Sequence, residues 1–308
     1  MGGRMKAKRK TIFEAFRLAI LSLALTASAT GAIAQKQTPK ATEAGRFIFA
    51  INEGAAGNLT ATDILFRYES FKPVIERALG VPVTLVAVRD AKELRRSLAT
   101  RTFALVMSRP ADVLAEAVRD HGYQAVVVST EPAHAIFIVN KTSPLKAITD
   151  VKGKSIVTPD RYAYMWRIAN AMMRDSRILM ANEKVRTMSD QAAIGWSMEG
   201  GFFDVGVVAS FSGVGRTWEN KGGRVIARSP DLPNTPMIAS PRVSTAQIQR
   251  IRAALLSLDS TPGGLAILKS IGIAGFKEAS SQTFIDLIAW LGDLETPKDQ
   301  QAGIAQRM

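Results

Sequence analysis

The chain has 308 residues, 47% of them hydrophobic and 22% charged, which is enough to bury one large or two medium cores. It carries no cysteine, which excludes a disulfide framework, thiol catalysis, cysteine metal sites and a lipid-attachment cysteine. Its formal charge is +13, yet no nucleic-acid motif or basic block with interleaved aromatics occurs, so no nucleic-acid partner is expected.

Residues 1–34 read as a cleaved export signal. Arg4, Lys6, Lys8, Arg9 and Lys10 form a basic start, 19–27 is apolar, and Ala32-Ile33-Ala34 gives a small-x-small pattern before Gln35. The apolar stretch is too short for a normal membrane span, an uncleaved anchor being the alternative. This segment holds six Lys/Arg and one Glu, so it carries +5 of the +13 and leaves +8 for the mature chain. A modestly basic exported protein suits anionic small ligands or an acidic surface.

Residues 35–45 read as a flexible polar leader. A strand over 47–52 runs into the small-residue loop 53–57. Apolar periodicity predicts one helix over 63–79, closed by Gly80. Strands follow at 81–88, 103–107 and 123–129, with helices at 91–100 and 111–119 between them. A strand at 135–139 opens a second set. There 154–157 leads to a helix from Ala163, 185–188 to a helix from Asp190, and 205–209 to a helix over 211–220, before a strand at 224–227. The Pro-rich stretch 230–236 leads to a strand at 237–240 and then to helices at 245–258, 263–271 and 280–291.

This rhythm predicts an α/β protein of two lobes, each a mostly parallel sheet flanked by helices, with a ligand cleft between them. Residues 46–134 and 237–295 make the first lobe, 135–236 the second, and 296–308 a frayed tail. Two crossings, near 133–141 and 234–241, form a hinge.

Five segments are expected to converge on the cleft: 52–58, 108–110, 158–164, 189–191 and 210–213. Asn52 and Glu53 belong to the first. Arg109 follows an apolar strand, where its fork either holds a carboxylate or phosphate or serves a structural ion pair. Arg161 offers the same choice at a helix start. Tyr162 and Tyr164 precede the regular helix as wall residues with hydroxyl handles, whereas Trp166 fits the buried stripe. Ser108 and Ser210 are ligand hydroxyls or caps, and Ser189 is a cap before Asp190. His134, at the first crossing, reaches the ligand. With two histidines and no cysteine no metal or cofactor is expected, and Met165, Met172, Met173, Met180, Met188 and Met198 lack metal-binding spacing.

Phe71-Lys72-Pro73 before Leu79-Gly80, Ser143-Pro144-Leu145 through Asp150-Val151-Lys152-Gly153-Lys154, and Ser189-Asp190-Gln191-Ala192-Ala193 through Gly201-Phe202-Phe203-Asp204-Val205 occur in that order. Over roughly 47–290 the chain resembles periplasmic solute-binding proteins of the phosphate/phosphite/phosphonate type that serve ABC importers. The resemblance implies the type II periplasmic-binding fold and a protein that is not an enzyme. It implies a periplasmic monomer that hands a small solute to an ABC permease, or else signals to a membrane sensor kinase. Family members start the second-lobe helix with a Ser/Thr-rich segment containing Gly. Here Thr158 keeps a hydroxyl in that style, and Arg161, Tyr162 and Tyr164 replace the rest. The ligand is therefore a phosphorus oxyanion or a small organic acid.

Overall fold

The computed structural model describes residues 47–54 and 59–292. The expected signal, leader and tail, and most of the loop after Glu53, lie outside the described residues. β1 (Phe47–Asn52), α1 (Ala61–Tyr68), α2 (Lys72–Leu79), β2 (Val83–Ala87), α3 (Ala91–Ala99), β3 (Leu105–Ser108), α4 (Asp112–His121) and β4 (Gln124–Ser129) come first. A second set runs β5 (Ala135–Val139), β6 (Ser155–Pro159), α5 (Tyr164–Asp175), β7 (Lys184–Met188), α6 (Gln191–Glu199), β8 (Val205–Ala209), α7 (Gly213–Thr217) and β9 (Arg224–Arg228). The chain returns through β10 (Met237–Ala239), α8 (Thr245–Leu256), α9 (Pro262–Ile271), β11 (Phe276–Glu278) and α10 (Ser281–Leu291).

Two sheets result, one per lobe, in the orders β11-β4-β10-β3-β1-β2 and β7-β6-β8-β5-β9. Both are mixed, with four of the six strands and four of the five running in one direction. β1 pairs in parallel with β2 and β3, but β10 slots antiparallel between β3 and β4, and β11 adds antiparallel to β4. In the second sheet β6 lies parallel to β7 and β8, while β5 is antiparallel to β8 and β9. For β5 and β10 the cause is the double crossing: a strand that leaves one sheet for the other arrives from the opposite end.

Strand alternation divides the core. Phe49 and Ile51 point to one face of the first sheet, where Tyr68, Phe71 and Phe276 pack. Ring centroids there lie 6.2 Å apart for Phe49–Phe71 and 6.0 Å for Phe71–Phe276. Ile48 and Ala50 point to the other face, into a core continuous with the second lobe. That shared core takes Phe137 and Val139 of β5, Ile168 and Ala169 of α5, and Phe284, Leu287, Ile288 and Leu291 of α10. Ile136 and Ile138 turn away into a third core with Ile194, Met198 and Trp218. Met165, Met173, Met180 and Met198 are buried among these residues, and Trp166 is half-buried against the shared core.

Three elements differ from expectation. The helix over 63–79 is two helices, broken at 69–71. Pro73 has no N–H to donate, and its ring clashes with the carbonyl four residues back, so it suits only the first turn of a new helix. The helix over 211–220 shrinks to α7. β11 was not foreseen, because Lys277 and Glu278 are exposed and leave no apolar alternation to read.

The two crossings lie at 130–134 and 229–236, earlier than expected because β5 and β10 occupy most of the expected ranges, and they run side by side. Ala133 N–H donates to Leu232 O at 2.9 Å and Leu232 N–H to Ala133 O at 3.3 Å. The Ser129 N–H and Oγ both donate to Asn234 O at 3.0 Å.

Candidate functional site

The first-lobe residues singled out from sequence gather at the ends of β1 and β3. Buried Asn52 donates through Nδ2 to Val88 O at 2.7 Å, and its Oδ1 accepts from Gly54 N–H at 2.9 Å and Ser108 Oγ at 3.4 Å. Gly54 has φ +62°, and a Cβ there would lie 2.7 Å from Pro110 Cγ, so the turn after β1 presses directly on the loop after β3. Ser108 Oγ donates to Pro110 O at 2.9 Å rather than capping α4.

Glu53 is 3% exposed. It accepts from Tyr68 Oη at 2.5 Å, Arg109 Nε at 2.7 Å and Arg67 Nη1 at 3.5 Å. Arg109 Nη2 donates to Ile271 O at 3.2 Å. Burial alone would lower the Arg109 pKa, and the Glu53 carboxylate more than offsets this, so it ends raised. Burial, then the charge of Glu53, pushes the Tyr68 phenol well above its ordinary value. Arg109 thus makes an internal ion pair with Glu53.

His134 fastens the crossings, its Nδ1 lying 3.0 Å from Ser229 O and 3.2 Å from Pro230 O. Its carbonyl accepts the Ser210 N–H at 2.9 Å. Ser210 is half-buried, and the cap of α7 is Ser212. Asp190, not Ser189, caps α6, its Oδ1 accepting Ala192 N–H at 2.8 Å. A capping oxygen must precede the first helical residue, and the helix starts one residue later than a Ser189 cap requires. Both residues are exposed, and they follow β7 where Met188 pairs with Pro159, beside the loop after β6.

At the end of β6, Thr158 is fully buried and donates to Pro159 O at 2.9 Å. The Arg161 guanidinium lies 5.5 Å from the centroid of the half-exposed Tyr162 ring. Tyr164 does not precede the helix but begins it, buried, with its hydroxyl 3.5 Å from Pro233 O in the second crossing. Burial, then the charge of Asp112, pushes its phenol well above the ordinary value.

The described α-helices start in three ways. α1, α3, α6, α7, α8, α9 and α10 are capped by Thr60, Asp90, Asp190, Ser212, Ser244, Thr261 and Ser280. α2 opens with proline in place of one donor. α4 and α5 begin at Ala111 and Ala163 with no side-chain cap, although Ala163 has the extended backbone of a cap position, φ −74° and ψ 144°. Uncapped N–H groups with the positive end of the helix dipole behind them attract anions.

These two starts meet across the lobes. Arg167, in α5 and 2% exposed, donates through Nη1 to Asp112 Oδ2 at 2.9 Å and Glu116 Oε1 at 2.7 Å, both on α4. Its Nη2 donates to Gly292 O at 2.8 Å, just past α10. Arg95 of α3 adds Nε to Glu116 Oε2 at 2.8 Å and lies 3.7 Å from Asp112. Asp112 Oδ1 and Arg95 Nη2 are buried without a hydrogen-bond partner among the described residues. Burial raises the Asp112 carboxyl pKa, with Arg167 opposing and Glu116 reinforcing. None of these four residues was singled out from sequence. The signal was present, because Arg167 falls on the same helical stripe as Tyr164, Ile168 and Ala171, where a charge is out of place.

No group of metal-ligating side chains occurs among the described residues. No described helix is long and apolar enough to cross a membrane. No curated protein matches the chain in sequence. Among solved structures, XAC2383 from Xanthomonas citri bound to ATP is similar at TM-score 0.63 and 14% identity, covering 79% of this chain and 96% of that one. PhnD1 from Prochlorococcus marinus in complex with methylphosphonate gives TM-score 0.61 and 14% identity, with 79% and 96% covered. PA3383, a binding protein component of an ABC phosphonate transporter from Pseudomonas aeruginosa, gives 0.55 and 13%, with 85% and 94% covered. At these identities the likeness shows the fold, here the two-lobe type II periplasmic-binding architecture. A sequence-family model described as "ABC transporter, phosphonate, periplasmic substrate-binding protein" matches residues 54–284, and to that family of transport proteins the chain belongs.

Proposed function

We propose that the protein captures a small oxyanion-bearing solute between the open starts of α4 and α5 and presents it to an ABC permease. The observation that carries this reading is the pair of uncapped helix starts, one from each lobe, where the other α-helices among the described residues are capped or begin with proline. Such donors favour a fixed anion, and anchoring it from both lobes would draw them together about the paired crossings. Two structural neighbours hold methylphosphonate and ATP, both phosphorus oxyanions. Thr158, Arg161, Tyr162 and Tyr164 form the second-lobe wall of this site. Asn52, Glu53, Ser108 and Arg109 brace the first-lobe loops behind it. His134 and Ser210 sit at the hinge, while Ser189 and Asp190 belong to the start of α6. Residues 1–34 direct the chain to the periplasm, where it works as a monomer.

Thermal unfolding of the protein with phosphate, phosphite, methylphosphonate, ATP, aliphatic sulfonates and small carboxylates tests this. Ligand at about 100 times its dissociation constant adds about 2.7 kcal/mol. That raises Tm by roughly 5–10 °C in a chain of this size. A shift with a phosphorus oxyanion supports the proposal, and a shift with carboxylates alone moves the ligand to the organic acids. No shift across the panel removes the oxyanion reading.

A further inference from the structure

We propose that Arg167 is a positioning residue: its guanidinium sets the distance and angle between the two open helix starts, and thereby which solute fits between them. The inference rests on the functional reading above but uses separate observations. Arg167 is the fourth residue of α5, and Asp112 is the first residue of α4. One planar, rigid fork therefore ties the first turn of one helix to the first turn of the other, across the lobes, at 2.9 Å, and to Glu116 one turn further along α4 at 2.7 Å. Its second nitrogen reaches Gly292 O at 2.8 Å, so the end of α10 is locked to the same point. Arg95 holds the far oxygen of Glu116 at 2.8 Å and prevents the acceptors from turning away.

Stability alone gives no reason for such a group. A buried set of two acids and two arginines is often no more stable than well-packed apolar residues, because each charge is stripped of water. What it supplies is a directional, two-bond contact where an apolar patch could slide. The paired crossings at 130–134 and 229–236 allow rotation, and the clamp supplies the fixed point about which the helix starts turn. Asp112 Oδ1, buried and without a described partner, leaves one acceptor open at the start of α4.

The chain has no cysteine, so two can be introduced for spin labels at positions exposed on opposite lobes, Phe66→Cys on α1 (84% exposed) and Trp196→Cys on α6 (68%). In the labelled parent the interlobe distance should form a narrow distribution. Arg167→Gln should broaden it. If the competent arrangement falls to about a tenth of molecules, apparent affinity for the oxyanion that shifts the parent's melting falls about tenfold. Because Arg167→Gln strands buried carboxylates and can unfold the chain, D112N/R167Q is measured beside it. That pair leaves no uncompensated charge at Asp112, while Glu116 keeps Arg95, and it should show the same broadening. Arg167→Lys, which retains the charge but not the fork, should restore stability more than it restores the narrow distribution. A folded D112N/R167Q protein with the parent's distribution overturns the proposal. If no panel compound binds the parent, the functional reading fails by itself, and the distance distributions still decide the role of Arg167.

Discussion

At Arg167 a single side chain answers to three elements, its own α5, α4 and the end of α10. Its replacement by Met would leave Asp112 without its close counter-charge while Glu116 kept Arg95. Removing one partner of a buried ion pair costs about 3–5 kcal/mol, because the remaining charge stays out of water. Urea unfolding of Arg167→Met should show a loss of that order, and a loss below about 1 kcal/mol would mean that the carboxylates simply take up protons. Gly54 makes a different residue-scale case. At φ +62°, with Pro110 Cγ 2.7 Å from where a Cβ would stand, it accepts no side chain without displacing the β3 loop. Gly54→Ala should cost at least the ~1–2 kcal/mol of a left-handed L-residue, read as a lowered denaturation midpoint. Gly54 was legible in sequence as part of a small-residue loop. That its neighbour would be Pro110, 56 residues on, was not, because only sheet pairing of β1 with β3 brings the loops together.

For the elements, the telling difference lies between capped and open helix starts. Ala163 already has cap-like backbone angles and is half-buried, so Ala163→Asp can place a carboxylate on the free N–H groups of α5. An added cap stabilises by about 1 kcal/mol. The same carboxylate would occupy the anion position. Ala163→Asp should therefore raise Tm without ligand and abolish any ligand-induced rise. A variant that gains the cap and still responds fully would move the solute away from α5. The existence of most helices and strands was legible from periodicity. Where the reading failed, something other than the period decided: locally, Pro73 split a helix that its apolar stripe makes continuous, and at long range β11 formed by pairing with β4 without an apolar pattern of its own.

Across the whole molecule, charge and burial set the response to pH. Backbone and side-chain hydrogen bonds from Ser155, at 2.8 and 2.7 Å, hold the Asp204 carboxyl below its ordinary value. Its stabilisation is complete above the ordinary carboxylate pKa and is lost as pH falls through the lowered folded value. Asp112 has the opposite sign. Its folded pKa is raised by burial, so its contribution is complete below the ordinary value and lost as pH rises through the raised one. From acid to neutral pH the parent should gain stability relative to Asp204→Asn and lose it relative to Asp112→Asn. Equal slopes in the two comparisons would show that Arg167 outweighs burial at Asp112. On the alkaline side, burial raises the phenols of Tyr68 and Tyr164 and pushes Tyr123 up to about 12. Stability should fall as pH rises above the ordinary tyrosine value, and phenolate absorbance from these three should appear together with unfolding.

The sequence by itself determined the two α/β sets and the family, because apolar periodicity, Gly and Pro punctuation and short motifs are local properties of the chain. It also placed the residues that end each strand, among them Asn52, Ser108, Thr158 and Ser210. Only the tertiary structure decided what those residues meet. It turned Arg109 inward to Glu53, gave His134 to the crossings and brought Arg167 to Asp112 over 55 positions of chain. A strand's end can be read from its own pattern. The partner of a charge depends on which distant surface excludes water from it, and that is fixed only once the sheets and helices have packed.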